Sequence, residues 1–192
     1  MPTKEILRET LRAQRRALGK VEREEKASQL AFQISQLALW PRCGQIALYF
    51  ASDGEIDPKY IASSAKNSGK EVFLPIVKKT RFLEFALWQD GAALFVNRFG
   101  IPEQDQCAPK ITAPDLGMIC LPIVGWDRQG NRLGMGGGFY DKTLTMSSGR
   151  GCLVGLAFSM QECAELPSEP YDVPLDFVVT ENEIISTARR TM

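Results

Sequence analysis

Histidine is absent from all 192 residues. Its absence excludes a histidine-dependent triad, a histidine metal cluster and a histidine general base. Any catalysis must then rest on carboxylates, lysine, arginine, tyrosine, a metal ion and backbone dipoles. Phosphoryl transfer suits that inventory, because it depends mainly on positioning and charge neutralisation. Cysteine offers little more. Cys43, Cys107, Cys120, Cys152 and Cys163 are odd in number, widely scattered and without CxxC spacing, so neither a zinc site nor a redox motif is indicated. Cys120 and Cys152 lie in apolar runs and are expected as small buried hydrophobes. Net charge is missing as well: 23 basic residues balance 23 acidic ones, which gives no reason to expect a nucleic-acid or membrane partner. No apolar run approaches the roughly 20 residues that span a bilayer. The N-terminal MPTKEILRET lacks a signal-peptide core, so a cytoplasmic location is expected.

What is present is ordinary in bulk. Hydrophobic content of 44% and charged content of 24% fit a soluble globular protein, and the length fits one domain over residues 1–192. Thr3 can cap a first helix that Gly19 stops, with Leu7, Leu11 and Leu18 toward the core. Lys4, Arg8, Arg12 and Arg15 project within about 80° of one another on a neighbouring face. A second helix is expected over Val21 to Leu39, and a third from a cap at Asp57 to Ser68. Strands are expected at Gln45 to Ala51, Glu71 to Val77, Phe82 to Trp88, Met118 to Val124, Cys152 to Phe158 and Asp176 to Thr180, the last before a charged tail. Gly91 to Pro114 reads as loop-rich. Strands alternating with helices predict an α/β fold: a single three-layer domain with a mostly parallel central sheet and helices on both faces. Such sheets bind ligands at the carboxyl ends of their strands.

One segment stands out, LPIVGWDRQGNRLGMGGGFYDKTL, from Leu121 to Leu144. An apolar run enters a polar turn, followed by Arg132, four glycines within five residues, then Tyr140 and Asp141. Glycine lets backbone amides approach a ligand closely, and successive amides form a concave donor site for an anion. Arg132 adds a fork-shaped cation for phosphate oxygens and Asp141 a hard oxygen ligand for Mg²⁺. The familiar fingerprints do not fit: Phe139 stands where a P-loop needs lysine, and Gly134, Gly136 and Phe139 fail the dinucleotide spacing. A tight strand-to-helix turn is the plain alternative for the glycines alone.

RLGMGGGFYD resembles the RLGxGxGYYD signature of the 5-formyltetrahydrofolate cyclo-ligases (methenyltetrahydrofolate synthetases). The resemblance extends over nearly the whole chain. KEILR resembles the family's basic K-x-x-x-R element, LYFASDGEID its strand and glutamate-containing loop, and PYDVPLDFVVTE its closing D-x-x-x-D segment. It implies ATP-dependent conversion of 5-formyltetrahydrofolate to 5,10-methenyltetrahydrofolate, with ATP as co-substrate, Mg²⁺ as cofactor and small molecules as the partners of an expected monomer. It implies that Lys4, Arg8 and the loop Arg132, Leu133, Gly134, Met135, Gly136, Gly137, Gly138, Phe139 and Tyr140 bind ATP, with Arg132 and Tyr140 catalytic. Phe50, Glu55, Met135, Gly136, Gly137, Gly138 and Phe139 would bind the folate, and Asp141 and Asp172 the metal.

Arg12 and Arg15 are expected on a solvated basic face, Asp176 merely at the border of the last strand, and Trp126 as further aromatic surface beside Tyr140. Met135, Gly137 and Phe139 depart from residues common in relatives, and Phe139 removes the hydroxyl of the usual first tyrosine. Two other readings stand beside the enzyme: a non-catalytic nucleotide or folate sensor, and a sugar-phosphate isomerase using Glu55 as its base.

Overall fold

A computed structural model describes residues 2–146 and 151–187; of the charged tail expected after Thr180, residues 188–192 lie outside them. Thr3 opens the first helix as expected. Its Oγ1 accepts the Ile6 N–H at 3.3 Å, satisfying one first-turn donor, and α1 runs Lys4–Ala17. Helix α2 covers Lys20–Ser35 and stops before the expected Leu39. Pro41 has no N–H to donate to a continuing helix, and Trp40–Arg42 form a 3₁₀ turn instead. Helix α3, Lys59–Asn67, starts after Pro58 rather than at an Asp57 cap, although Asp57 Oδ1 still accepts the Lys59 N–H at 3.0 Å.

The strands in chain order are β1 (Gln45–Ala47), β2 (Glu71–Val77), β3 (Leu83–Leu87), β4 (Phe95–Val96), β5 (Pro102–Glu103) and β6 (Lys110–Ile111). Then follow β7 (Met118–Pro122), β8 (Gly125–Trp126), β9 (Arg132–Leu133), helix α4 (Phe139–Thr145), β10 (Cys152–Leu156), β11 (Phe177–Val179) and β12 (Ile184–Ser186). Eight of them form one sheet in the order β12-β11-β10-β7-β1-β2-β3-β6. The five from β11 to β2 are parallel, β12 and β3 flank them antiparallel, and β6 pairs antiparallel with β3. The loop-rich expectation for Gly91 to Pro114 missed the β4–β5 hairpin and β6, whose strands are two residues each. β12 was likewise unforeseen.

Alternation along each strand separates two cores. Met118 and Cys120 of β7 join Ile46, Val72 and Val154 beneath Leu30 and Ile34 of α2 and Ile61 of α3. Ile119 and Leu121 point the other way, with Phe73, Phe85, Leu153 and Val178, and are covered by Leu144 of α4, Trp126 and Leu175. Helices therefore lie on both faces of a mostly parallel sheet. β1 has β2 on one side and β7 on the other, so the chain's direction of travel across the sheet reverses at β1. Sheets of this kind hold ligands at the carboxyl ends of the strands beside such a switch point, here β1 and β7. Helix α1 lies beside this edge, with Leu11 packed against Val124, Leu133 and Leu166.

Candidate active site

Strand β7 leads directly into the glycine loop through the β8–β9 ribbon. Asp127 organises that ribbon from a fully buried position. Its carboxylate accepts the N–H groups of Gln129 (3.0 Å) and Asn131 (2.9 Å), the Asn131 amide (2.9 Å) and the Leu166 N–H (3.0 Å). Arg132 follows, its direction set by β9. The backbone is then left-handed at Gly136 (φ +89°) and at Gly138 (φ +66°), which caps α4. Gly137 lies against the Phe139 ring, where a β-carbon would come within 2.7 Å of it. Thr143 fixes α4 to the sheet: its Oγ1 accepts the Leu83 N–H at 2.9 Å and donates to the Phe139 carbonyl at 2.8 Å. The expected short helix thus begins within the glycine motif.

α1 closes over this loop. Arg8 Nε donates to the Gly134 carbonyl at 2.8 Å, and its guanidinium lies beside Gly136. Lys4 Nζ reaches Asp172 Oδ2 at 2.9 Å, a carboxylate that also accepts the Glu169 N–H at 2.9 Å. Arg132 pairs with Asp141 Oδ1, which in turn accepts the Val173 N–H at 3.2 Å. Residues named from three separate stretches of sequence are therefore brought together. Asp176 borders β11 as expected, with Oδ2 accepting the Leu153 N–H at 2.8 Å.

Glu55 follows β1 at the adjacent strand end. Burial pushes its carboxyl above the ordinary glutamate range, partly offset by the Ser52 N–H (3.0 Å) and the charge of Arg15. Phe50 stacks edge-on to Trp88 at 5.4 Å and packs on the first core. Tyr140 has its phenol pushed far above the ordinary range by burial, and by Glu55 after that, while Arg132 opposes the shift. It is a neutral donor at any physiological pH. Phe139 meets Phe99 edge-on at 5.6 Å, so the Gly91 to Pro114 region contributes an aromatic side chain that the sequence did not flag.

Three expectations need correcting. Arg15 is completely buried rather than on a solvated face. Arg12 donates to Asp53 Oδ2 at 2.7 Å. Trp126 offers no aromatic surface, because it is fully buried with Nε1 on the Phe158 carbonyl at 3.4 Å. Asp127 and Asp53 were also missed. Both precede turn glycines in DRQGN and DGE, the available signal for a loop-organising aspartate.

Asp141 and Asp172 are the carboxylates available here as metal donors. Both are hard carboxylates paired with cations beside the glycine loop, which fits Mg²⁺, an ion that takes one or two carboxylates and completes its shell with water and phosphate. Among the described residues there is no cluster of three or more histidine, cysteine, aspartate or glutamate residues able to hold a metal. That argues against a self-sufficient protein cage, not against a phosphate-assisted ion. Among the same residues no helix is long and apolar enough to cross a membrane.

Residues 1–181 match the model of the 5-formyltetrahydrofolate cyclo-ligase family. A protein of that name from Haemophilus influenzae is 35% identical over 174 residues, 86% of this chain and 89% of the relative. Another from Escherichia coli is 32% identical over 183 residues, covering 91% and 98% respectively. The solved structure of a 5,10-methenyltetrahydrofolate synthetase from Aquifex aeolicus superposes with a TM-score of 0.85 at 28% identity, over 98% of this chain and 95% of that one. A Mycoplasma pneumoniae structure, at 22% identity and a TM-score of 0.77 over 94% and 99%, shares the fold.

Proposed function

Because the chain belongs to the 5-formyltetrahydrofolate cyclo-ligase family, we propose that it converts 5-formyltetrahydrofolate and ATP to 5,10-methenyltetrahydrofolate, ADP and phosphate. One observation supports this reading above the others. Arg8 of α1 bonds to the glycine loop and Lys4 to Asp172, while a buried carboxylate, Glu55, follows the neighbouring strand.

In the proposed reaction the formyl oxygen attacks the γ-phosphorus, ADP departs, and an imidate phosphate results. The side-arm nitrogen then adds to the imidate carbon, loses its proton and closes the ring as the C–O bond breaks and phosphate leaves. An amide oxygen is a poor leaving group until phosphorylated, which gives ATP its purpose. The backbone amides of Gly134 to Gly138, with Lys4 and Arg8, would hold the triphosphate. Arg132 would neutralise charge on the transferring group. The Tyr140 phenol would donate a hydrogen bond there. Phe50 and Phe139 would flank the pterin while Glu55 accepts from its ring N–H groups. Asp141 and Asp172 would hold Mg²⁺, which supplies further charge neutralisation at the phosphates when bound. The Arg132–Asp141 and Lys4–Asp172 pairs would then open, each cation turning to phosphate as its carboxylate turns to metal.

The reading predicts a methenyl chromophore and equimolar phosphate only when ATP, Mg²⁺ and 5-formyltetrahydrofolate are all present. Absence of the chromophore under those conditions would overturn it and leave a binding-only protein. Arg132→Ala should lower kcat about 10²–10³-fold, with the far-ultraviolet circular dichroism unchanged. Asp141→Asn should raise the Mg²⁺ concentration needed for half-maximal rate, and an unaltered requirement would remove Asp141 from the metal site.

A further inference from the structure

We propose that Arg15 is the positioning residue of the substrate-binding carboxylate, holding the turn that presents Glu55 and keeping a cation against it. The proposal rests on the reading of Glu55 as the folate-binding group. Ser52 to Glu55 close a tight turn, with the Glu55 N–H on the Ser52 carbonyl at 2.9 Å. Both central residues are left-handed, Asp53 at φ +51° and Gly54 at φ +75°, the pattern of a type I′ turn. Gly54 sits directly on α1, where a β-carbon would lie 3.3 Å from the Arg15 carbonyl oxygen and the Arg16 Cα.

Arg15 fastens this turn from inside. Its Nε donates to the Asp53 carbonyl at 2.9 Å and its Nη2 to Asp53 Oδ2 at 2.7 Å, while Nη2 also lies 3.8 Å from Glu55 Oε1. Nη1 reaches the Ile123 carbonyl beyond β7 at 3.5 Å, and Nη2 lies 3.8 Å from Met135 Sδ in the glycine loop. One guanidinium thus touches the Glu55 turn, the end of β7 and the glycine loop. Neutralising Asp53 does not require it, because Arg12 and Arg16 pair with that carboxylate from the outer side. Burying a guanidinium is costly, and the geometry assigns that cost to orienting Glu55. The charged and titratable groups facing Glu55 are Arg12 and Arg15 of α1, Asp53 of its own turn, Tyr49 after β1 and Tyr140 of α4. Arg15 is the cation within ion-pair range of it.

The test is a double-mutant cycle of Arg15→Gln, Arg15→Lys and Glu55→Gln, with each substrate varied across pH and enzyme-free controls. Arg15→Gln should raise the KM for 5-formyltetrahydrofolate about tenfold, leave the KM for ATP within about threefold, and move the acid limb of kcat/KM for the folate to higher pH. Arg15→Lys should restore the position of that limb but not the KM. In the Glu55→Gln background either Arg15 variant should add less than about twofold to the folate KM. Equal effects on both substrates, or effects that multiply undiminished on Glu55→Gln, would overturn the inference. If Arg15→Gln fails to fold by circular dichroism, the Arg15→Lys arm of the cycle decides by the same criterion. If Glu55→Gln raises the folate KM and the Arg15 variants do not, the inference alone falls. If Glu55→Gln has no effect, the Glu55 reading falls and takes this inference with it.

Discussion

Burial pushes the Glu55 carboxyl above its ordinary range, and the Ser52 donors and the Arg15 charge offset only part of that. The folded state therefore keeps this proton to higher pH than the unfolded chain does. Stability falls as pH rises from the ordinary glutamate range through the raised value, and stays lowered above it. Glu55→Gln keeps the side-chain volume and removes the ionisation. It should melt at a higher temperature than the wild type at neutral pH, by ~2–4 °C for each kcal/mol relieved, and the gap should close near pH ~4. The same variant should bind folate poorly, an exchange of stability against function. Scanning calorimetry at the two pH values checks it; an unchanged gap would assign Glu55 an unstrained carboxylate. Residues of this kind differed in how readable they were. Arg132, Gly134 to Gly138, Tyr140 and Asp141 are contiguous, so their joint chemistry stands in the sequence. Arg15 became legible only once Asp53, 38 residues away, folded onto α1. Its spacing from Arg8 and Arg12 matched a solvated face equally well.

Helices and long strands were legible because each carries its own pattern. β2 has the expected bounds, Glu71–Val77, and α1 has its threonine cap. Short pieces had no period to read: β4, β5, β6, β8 and β9 are two residues each, and their pairing rather than any repeat marks them as strands. The glycine loop falls between these cases, since its composition announced a turn and its conformation waited for the structure. Gly136 is left-handed at φ +89°, and a β-carbon there would face the Arg8 guanidinium at 3.7 Å. Gly134 has no positive φ, and a β-carbon there would meet no atom within 4 Å. Gly136→Ala should therefore cost about 1–2 kcal/mol of backbone strain, a Tm drop of roughly 2–8 °C, and raise the KM for ATP. Gly134→Ala should change stability by no more than about 0.5 kcal/mol. Equal Tm losses in the two variants would show that the loop relaxes and that the left-handed backbone is not required.

Across the whole molecule, α1 belongs to the site more than to the cores. It packs through the small cluster around Leu11, and otherwise holds on through Lys4 to Asp172, Arg8 to Gly134, and three arginines to Asp53. Burial alone would raise the Asp53 carboxyl, but the bonds from Arg12, Arg15 and Arg16 overcome it and hold the group well below its ordinary range. Asp53 thus contributes stability that is fully present above the ordinary aspartate range and is lost as pH falls below it. Glu55, two residues away, has the opposite sign: its contribution worsens as pH rises above the ordinary glutamate range. Ionised Glu55 nonetheless attracts Arg15 of α1, so it is protonation of Asp53 that loosens the grip of this turn on α1. Amide exchange over residues 4–17, corrected for intrinsic rates, should accordingly be faster at pH ~3 than at pH ~5, while β7 and β10 stay protected throughout. Asp53→Asn tolerates the left-handed backbone and should flatten that profile. A profile that falls in step with the central strands would mean that α1 opens with the whole sheet, and that the arginine cluster is not what seats it.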